Sequence, residues 1–146
     1  MKKIITASLT ILVFFACKKD ENASTGNLEV TTTNIAGKYK TTAATIIPTG
    51  TTFVFNIFNQ DAYYAPCKRD DIHTFTTVGT YNYADSGVYC TTPPVGRTGT
   101  YALVLPNQLT FDGRAYLVES LTTSALVIGF DSTGFGKVKI TLTKQP

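Results

Sequence analysis

The last third of the chain alternates apolar and polar side chains with the period of two that is typical of β-strands. In the final segment the two faces are Val138, Ile140 and Leu142 on one side, and Lys137, Lys139, Thr141 and Thr143 on the other. Earlier groups that share a face are Tyr101, Leu103 and Leu105, then Leu109 and Phe111, then Tyr116 and Val118, then Leu126, Ile128 and Phe130. This pattern predicts short strands that each turn one face toward a core.

Turn signals separate these strands. Asp112-Gly113 is a strong two-residue hairpin signal, and Asp85-Ser86-Gly87 and Gly134-Phe135-Gly136 mark further reversals. About eight strands separated by turns every ~8–12 residues predict an all-β fold, an antiparallel up-and-down barrel, because closure removes exposed sheet edges. A β-sandwich is the alternative. A barrel of this size is either filled with side chains or holds one small ligand.

The segment 51–66 is unusual because it is long and aromatic. Phe53, Phe55 and Ile57 fall on one side of an alternating run, and residues 59–65 have room for one helical turn. We interpret this segment as a cover over one end of the sheet.

The first 16 residues have the features of a signal peptide. Lys2 and Lys3 precede an apolar run, Ile4 to Phe15, that is too short for a permanent membrane anchor. Ala16 and Cys17 then resemble a bacterial lipobox, which predicts that Cys17 carries palmitate-type lipid and anchors the protein in the membrane. An ordinary secretory signal with an incidental cysteine is the alternative.

We predict a flexible acylated tether over residues 17–34, since its polar composition cannot form a core. The Lys19-Asp20-Glu21 cluster is similar to export signals of surface lipoproteins, which favours a location in the outer membrane or at the cell surface; a solvated charge cluster is the plain alternative. The folded domain is predicted at 35–146, and one domain is what this length allows.

Cysteine usage supports an exported protein. If Cys17 is lipidated, Cys67 and Cys90 remain as partners, and they lie at the ends of a predicted strand pair. We therefore predict a Cys67–Cys90 disulfide.

Charge excludes one class of partner. The formal net charge of +3 includes Lys2 and Lys3, so removal of the signal peptide leaves +1. Because a nucleic-acid binder normally carries a basic stripe, we predict no nucleic-acid partner.

The order of several residues resembles the lipocalin-like domains of Gram-negative surface lipoproteins. The residues that carry this resemblance are Gly37, Tyr39, Cys67, Asp70, Asp71, Phe75, Gly79, Thr80, Tyr81 and Cys90. The resemblance implies a barrel with an internal ligand. The chain departs from the pattern in segment 51–66 and at the basic Arg69 beside the acidic pair.

Catalytic and metal chemistry have little support in the sequence. His73 is the single histidine, and no Gly-x-Ser-x-Gly motif accompanies it, so we predict a structural or exposed histidine and no enzyme. Asp70 and Asp71 are neighbours, which makes them a poor acid–base pair in an extended chain; we expect one to accept backbone hydrogen bonds and the other to pair with Lys68 or Arg69. No cofactor and no metal site are predicted.

Three function classes remain. The first is a binding module for an unidentified small apolar or aromatic ligand, with candidate lining residues Phe53, Phe55, Tyr81, Tyr101 and Tyr116. The second is a non-enzymatic structural or interaction protein of the envelope with a filled barrel. An enzyme ranks last, and the oligomeric state is left open.

Overall fold

The computed structural model describes residues 26–104 and 106–146. The signal peptide, Cys17, most of the predicted tether and Leu105 therefore lie outside the described residues. The described elements are helix α1 (Thr32–Ile35), a 3-10 turn (Pro66–Lys68) and the strands β1 (Gly37–Pro48), β2 (Phe55–Asn56), β3 (Ile72–Phe75), β4 (Thr80–Ala84), β5 (Gly96–Val104), β6 (Gln108–Phe111), β7 (Arg114–Leu121), β8 (Ala125–Ser132) and β9 (Gly136–Lys144).

The strands form the predicted antiparallel barrel. Eight of them pair in the order β1-β3-β4-β5-β6-β7-β8-β9, and β9 pairs with β1 to close the ring. The short β2 is an extra strand that pairs with the far end of β1, at Thr45 and Ile46. Closure leaves no free edge around the main ring, which is the physical advantage that the sequence pattern implied.

The two ends of the barrel differ. One end, which we call the closed end, carries the turns at 76–79 and 122–124 together with α1. The other end, which we call the mouth, carries the hairpins at 112–113 and 133–135 and the long connections 49–71 and 85–95. All long loops of the described chain therefore lie at the mouth.

The folded domain begins earlier than the predicted boundary at Ile35. The Leu28 amide donates to the Leu121 carbonyl oxygen at 2.6 Å, and Leu28 and Val30 pack against the core. Thr31 then caps α1 by accepting a hydrogen bond from the Asn34 amide at 3.1 Å. Two apolar residues in a polar stretch are enough to dock it here, so 28–34 is part of the domain.

The half of the barrel next to the closed end, which we call the lower half, is filled with side chains. Phe75 is 1% exposed, and its ring centroid lies 5.2–6.0 Å from the rings of Tyr39, Tyr81, Tyr101 and Phe111. Aliphatic residues complete the packing toward α1: Ile35, Leu109, Val118, Leu121, Leu126 and Leu142. This half of the barrel therefore has the close packing of an ordinary protein core.

The predicted disulfide is confirmed. Cys67 and Cys90 are bonded, with their Cα atoms 5.0 Å apart. Cys67 lies in the 3-10 turn before β3, and Cys90 lies in the loop between β4 and β5. The bond therefore ties together the two long connections at the mouth.

Little of the cover segment (51–66) forms regular secondary structure. Only Phe55 and Asn56 are in strand conformation, and the rest is a series of turns. Phe53 and Val54 are 70% and 62% exposed, so the alternation there does not reflect a buried face. The segment nevertheless lies over the mouth, as predicted, because Ile57, Ala62, Tyr63 and Tyr64 line a cavity there.

Candidate functional site

The mouth is uneven because three strands extend past the others. β1 and β9 stay paired as far as Pro48 and Gly136, and β8 stays paired with β9 as far as Ser132. The neighbouring strand β7 pairs with β8 only from Leu117 and Gly129 toward the closed end. The part of the wall formed by β1, β8 and β9, which we call the high wall, therefore extends furthest at the mouth. Beside it, β7 and β8 separate and leave a gap.

The cover segment is fixed to the high wall by backbone hydrogen bonds. The amides of Ile57 and Phe58 both donate to the Ala44 carbonyl oxygen, at 2.9 and 3.1 Å. Both contacts join the cover to Ala44, which lies in the half of β1 nearer the mouth. The position of Ile57 over the mouth is thus set by the backbone and does not depend on side-chain packing alone.

Arg69 organises the interior of the cover segment. Its Nε donates to the Phe58 carbonyl oxygen at 2.7 Å, and its Nη2 donates to Asp61 Oδ1 at 2.6 Å and to the Tyr64 carbonyl oxygen at 3.1 Å. The planar guanidinium suits such a fork of acceptors. The expected pairing of Arg69 with Asp70 or Asp71 is not present, because Arg69 turns to the cover and its partner is Asp61.

The adjacent aspartates bind the second mouth loop. Asp70 Oδ2 accepts a hydrogen bond from the Val88 amide at 2.7 Å. Asp71 is buried and accepts from the Tyr83 hydroxyl and the Ser86 amide. Burial raises the pKa of the Asp71 carboxyl, and the hydrogen bond from Tyr83 opposes that shift. Both aspartates therefore act as loop anchors.

A cavity of about 90 Å³ lies inside the barrel, above the packed core. Hydroxyl and imidazole groups dominate its polar lining, and an ion pair lies at its rim. Its lining residues are Thr41, Tyr64, His73, Tyr81, Arg97, Phe111, Asp112, Tyr116, Ile128, Ile140 and Leu142. This volume is enough for a few waters or the polar end of a ligand.

The ion pair joins Arg97 of β5 to Asp112 of the β6–β7 hairpin. Arg97 Nη2 lies 2.9 Å from Asp112 Oδ2, and the two side chains are 53% and 37% exposed. The guanidinium also stacks over the Tyr83 ring at 4.8 Å from its centroid. Asp112 can occupy this place because it adopts a left-handed backbone with φ of 51° in the Asp-Gly turn.

His73 lines the cavity as a neutral group. Its Nδ1 lies 2.9 Å from the Tyr81 hydroxyl, and its ring is largely buried between Tyr81 and Tyr83. Burial lowers the pKa of His73 from 6.5 to about 4, opposed by the Asp112 carboxylate. Burial also raises the pKa of the Tyr81 phenol. Both partners are therefore uncharged at neutral pH.

This environment predicts the acid sensitivity of the fold. Because the pKa of His73 is lower in the folded state, the unfolded chain takes up the proton first as the pH falls below 6.5. The stabilisation from His73 is thus complete above pH 6.5 and is lost between pH 6.5 and about 4, by roughly 3 kcal/mol. We expect the imidazole Cε1 proton signal to titrate with a midpoint near 4 in NMR spectra.

The measurement needs no assignment of resonances because the chain has one histidine. The same protein in concentrated urea is the control, and its midpoint should return to the ordinary value near 6.5. A folded-state midpoint between 6 and 7 would contradict the burial of His73.

An apolar cleft of about 340 Å³ lies between the high wall and the cover segment. Its wall residues come from β1, β8 and β9, and its roof comes from the cover. The lining residues are Ala44, Ile46, Ile57, Ala62, Tyr63, Tyr64, Phe130, Ser132, Phe135, Val138 and Ile140. Tyr64 and Ile140 also line the inner cavity, so the cleft and that cavity adjoin.

A second opening continues the cleft outward. It has a volume of about 540 Å³ and lies between β2 and the tip of the β8–β9 hairpin. Ile46, Ile57, Tyr63 and Phe135 line both spaces. Tyr63 and Phe135 are 69% and 65% exposed, so apolar surface faces solvent at this opening.

The split between β7 and β8 forms a further space of about 370 Å³ in the side wall. Arg114 spans it, with its guanidinium carbon 4.3 Å from the centroid of the Phe130 ring. Tyr116 lines both this slot and the inner cavity. The interior is thus bordered by a stacked Arg–Phe pair where the two strands separate.

The structure places the five candidate lining residues in four different surroundings. Tyr81 and Tyr116 line the inner cavity. Phe55 lines the outer opening and is 53% exposed. Tyr101 is packed in the aromatic core and its hydroxyl donates to the Thr76 carbonyl oxygen at 2.6 Å, while Phe53 faces solvent. The first three therefore border the connected spaces at the mouth.

Sequence reasoning did not select Arg97, Asp112, Phe130 or Phe135 as site residues. Phe130 was placed correctly on an inward face, but Asp112 and Phe135 were interpreted only as hairpin residues. Their contribution depends on which hairpins meet at the mouth, and local pattern carries no information on that. The strand pairing supplies it.

Among the described residues, no cluster of three or more histidine, cysteine or acidic side chains has the arrangement of a metal site. Within the same residues, no helix has the length and apolar character needed to span a bilayer. His73 has a tyrosine partner, and Asp71 is engaged with Tyr83.

Comparisons with known proteins add no family. A scan against protein-family models found no match, and searches of curated proteins and of solved structures found no significant similarity.

Proposed function

We propose that this domain is a non-enzymatic, lipocalin-like binding module that holds a small apolar or aromatic ligand at the barrel mouth. The observation that carries the proposal is the continuity of three spaces: the outer opening, the apolar cleft and the inner cavity share lining residues from one to the next. The cleft is at the lower end of the size range of known small-molecule sites, about 300–1,000 Å³. The inner cavity alone is too small for such a ligand.

The packing of the barrel sets where the ligand would lie. The aromatic cluster around Phe75 fills the lower half, so a ligand occupies the upper half between Ile46, Ile57 and Phe135. Aliphatic and aromatic walls favour an apolar partner because its transfer from water releases roughly 25 cal/mol per Å² of buried surface.

The same architecture suits an N-terminal membrane anchor. Residues 28–35 dock at the closed end, and the mouth lies at the opposite end. If Cys17 carries lipid and residues 17–27 form the tether, the anchor joins the barrel at the end opposite the mouth. We propose on this basis an outer-membrane lipoprotein whose binding site is open to the surrounding solution.

Binding of a fluorescent apolar probe tests the proposal. We expect purified protein to bind N-phenylnaphthylamine with a blue-shifted, enhanced emission. Replacing Ala62 with tryptophan places a large side chain in the cleft, so the probe affinity should fall by at least about tenfold.

Val78→Trp is the matched control. Val78 is 84% exposed and belongs to the turn at the closed end, so this variant should bind the probe as the parent protein does. Equal loss in both variants, or no binding by the parent, would refute a site at the mouth.

The alternative function is a structural or interaction protein of the envelope. The observation in its favour is the group of exposed apolar side chains around the mouth, with Phe53, Val54, Phe55, Tyr63 and Phe135 between 53% and 70% exposed. Such a group can dock a partner protein. Crosslinking in cells through Phe53 that recovers one defined neighbour, together with absence of probe binding, would favour this function.

A further inference from the structure

We propose that the ligand carries a neutral hydroxyl group at one end, which enters first and lies in the inner cavity against His73 and Tyr81. This inference rests on the proposed function and deepens it from an apolar ligand to an apolar alcohol or phenol. It follows from the contrast between the outer spaces and the inner one. The cleft is bordered mainly by aliphatic and aromatic residues, whereas the inner cavity is bordered by hydroxyl groups, an imidazole and one ion pair as well as by apolar residues.

The uncharged polar groups of the inner cavity favour a ligand end that forms hydrogen bonds and carries no charge. Thr41 is 2% exposed, and the Tyr64, Tyr81 and Tyr116 phenols all border the same space. Burial raises the pKa of each of these three phenols, so they stay protonated at neutral pH. Their hydroxyls can donate and accept hydrogen bonds.

The histidine–tyrosine pair favours a hydroxyl in particular. Tyr81 and His73 Nδ1 share a hydrogen bond of 2.9 Å, and the tautomer of the ring decides which of them donates. The remaining ring nitrogen is then either a donor or an acceptor. A hydroxyl can meet both cases because it donates and accepts, which neither a carboxylate nor an ammonium group can do.

The ion pair opposes a charged ligand end. Arg97 and Asp112 neutralise each other at 2.9 Å, and Arg97 is held in addition over the Tyr83 ring. A charged ligand end that enters meets a charge of its own sign in this pair, and the charge of opposite sign is already engaged. Either kind of charged end would be desolvated without a free counter-charge, which is costly in a confined space.

A series of matched probes tests the inference. Octanol, octanoate and octylammonium have the same chain length, and each is used at pH 7 to displace bound N-phenylnaphthylamine from the purified protein. We expect octanol to displace the probe at a concentration at least about tenfold lower than the other two. Phe53→Ala is the control variant, since Phe53 is 70% exposed, and it should show the same preference.

Replacing His73 with phenylalanine tests the role of the imidazole. The readout is the ratio of octanol to octanoate affinity, which does not depend on the fraction of active protein, and circular dichroism checks the fold. We expect the preference for octanol to fall below about threefold, because the hydroxyl loses its partner. A variant that keeps the full preference would overturn the assignment to His73.

The outcomes separate the two proposals. If the fluorescent probe itself does not bind, the proposed function fails. If the probe binds and octanoate or octylammonium displaces it as well as octanol, or none of the three does, then the hydroxyl inference fails while the binding module remains.

Discussion

Replacing Phe75 with alanine is expected to lower the free energy of unfolding by about 3–5 kcal/mol. Phe75 is 1% exposed, and its ring lies at the centre of the cluster formed by Tyr39, Tyr81, Tyr101 and Phe111. Its removal would leave a cavity among rings that are fixed to different strands and cannot collapse together. Urea denaturation followed by circular dichroism measures the change.

Phe53→Ala is the same chemical change at a solvent-exposed site. Phe53 is 70% exposed, so its loss should change the free energy of unfolding by no more than about 0.5 kcal/mol. Similar losses in the two variants would contradict a filled lower half of the barrel.

The second large effect concerns the disulfide. The double substitution Cys67→Ser and Cys90→Ser should lower the free energy of unfolding by about 2–4 kcal/mol, because the unfolded chain gains conformational freedom. Ligand binding should weaken as well. The bond joins the turn after the cover segment to the loop between β4 and β5, so its loss loosens the roof of the cleft.

Reduction provides an independent check of this prediction. The parent protein treated with a phosphine reductant should unfold at the same urea concentration as the double serine variant. A double variant within about 0.5 kcal/mol of the parent would show that the connections at the mouth are held without the bond. The hydrogen bonds of Asp70 and Asp71 to Val88, Ser86 and Tyr83 would then be sufficient.

Several parts of the fold could be predicted from the sequence because they depend on local pattern. The period of two in β9 and the Asp112-Gly113 turn specify strands and a hairpin through their own side chains and backbone preferences. The disulfide followed from cysteine usage, and the structure confirms it. Closure of the barrel was predicted because it removes the exposed edges of an antiparallel sheet, and the strand pairing shows it.

The conformation of the cover segment could not be predicted in the same way. Its aromatic alternation resembles a strand, but only Phe55 and Asn56 find a partner strand, on β1. The remaining turns are fixed by Arg69, which contacts the Phe58 and Tyr64 carbonyl oxygens and Asp61. These contacts join residues 5 to 11 positions apart, and no short-range pattern encodes them.

The candidate site shows the same limit. Tyr81 and Tyr116 were chosen as lining residues for their aromatic side chains on predicted strands and for the family resemblance, and both line the inner cavity. Tyr101 has the same pattern, but it lies one layer lower and packs against Phe75. Depth along the barrel axis depends on strand register, so periodicity alone does not distinguish a cavity residue from a core residue.

The boundary of the domain illustrates a related point. A polar composition predicted a free tether as far as residue 34, but Leu28 and Val30 pack against the core and Leu28 pairs with Leu121. Isolated apolar residues in a polar stretch pack into the domain only where another part of the chain offers a complementary apolar surface. Here that surface is the closed end of the barrel.

A structure determined from crystals soaked with N-phenylnaphthylamine tests most directly the central claim, which is a ligand site at the barrel mouth. We predict continuous density for the probe between Ile46, Tyr63 and Phe135, with one end toward the inner cavity and the rings around Phe75 unmoved. Density for the probe outside the mouth, or a cleft closed by the side chains of the cover segment, would contradict a binding site at this end of the barrel.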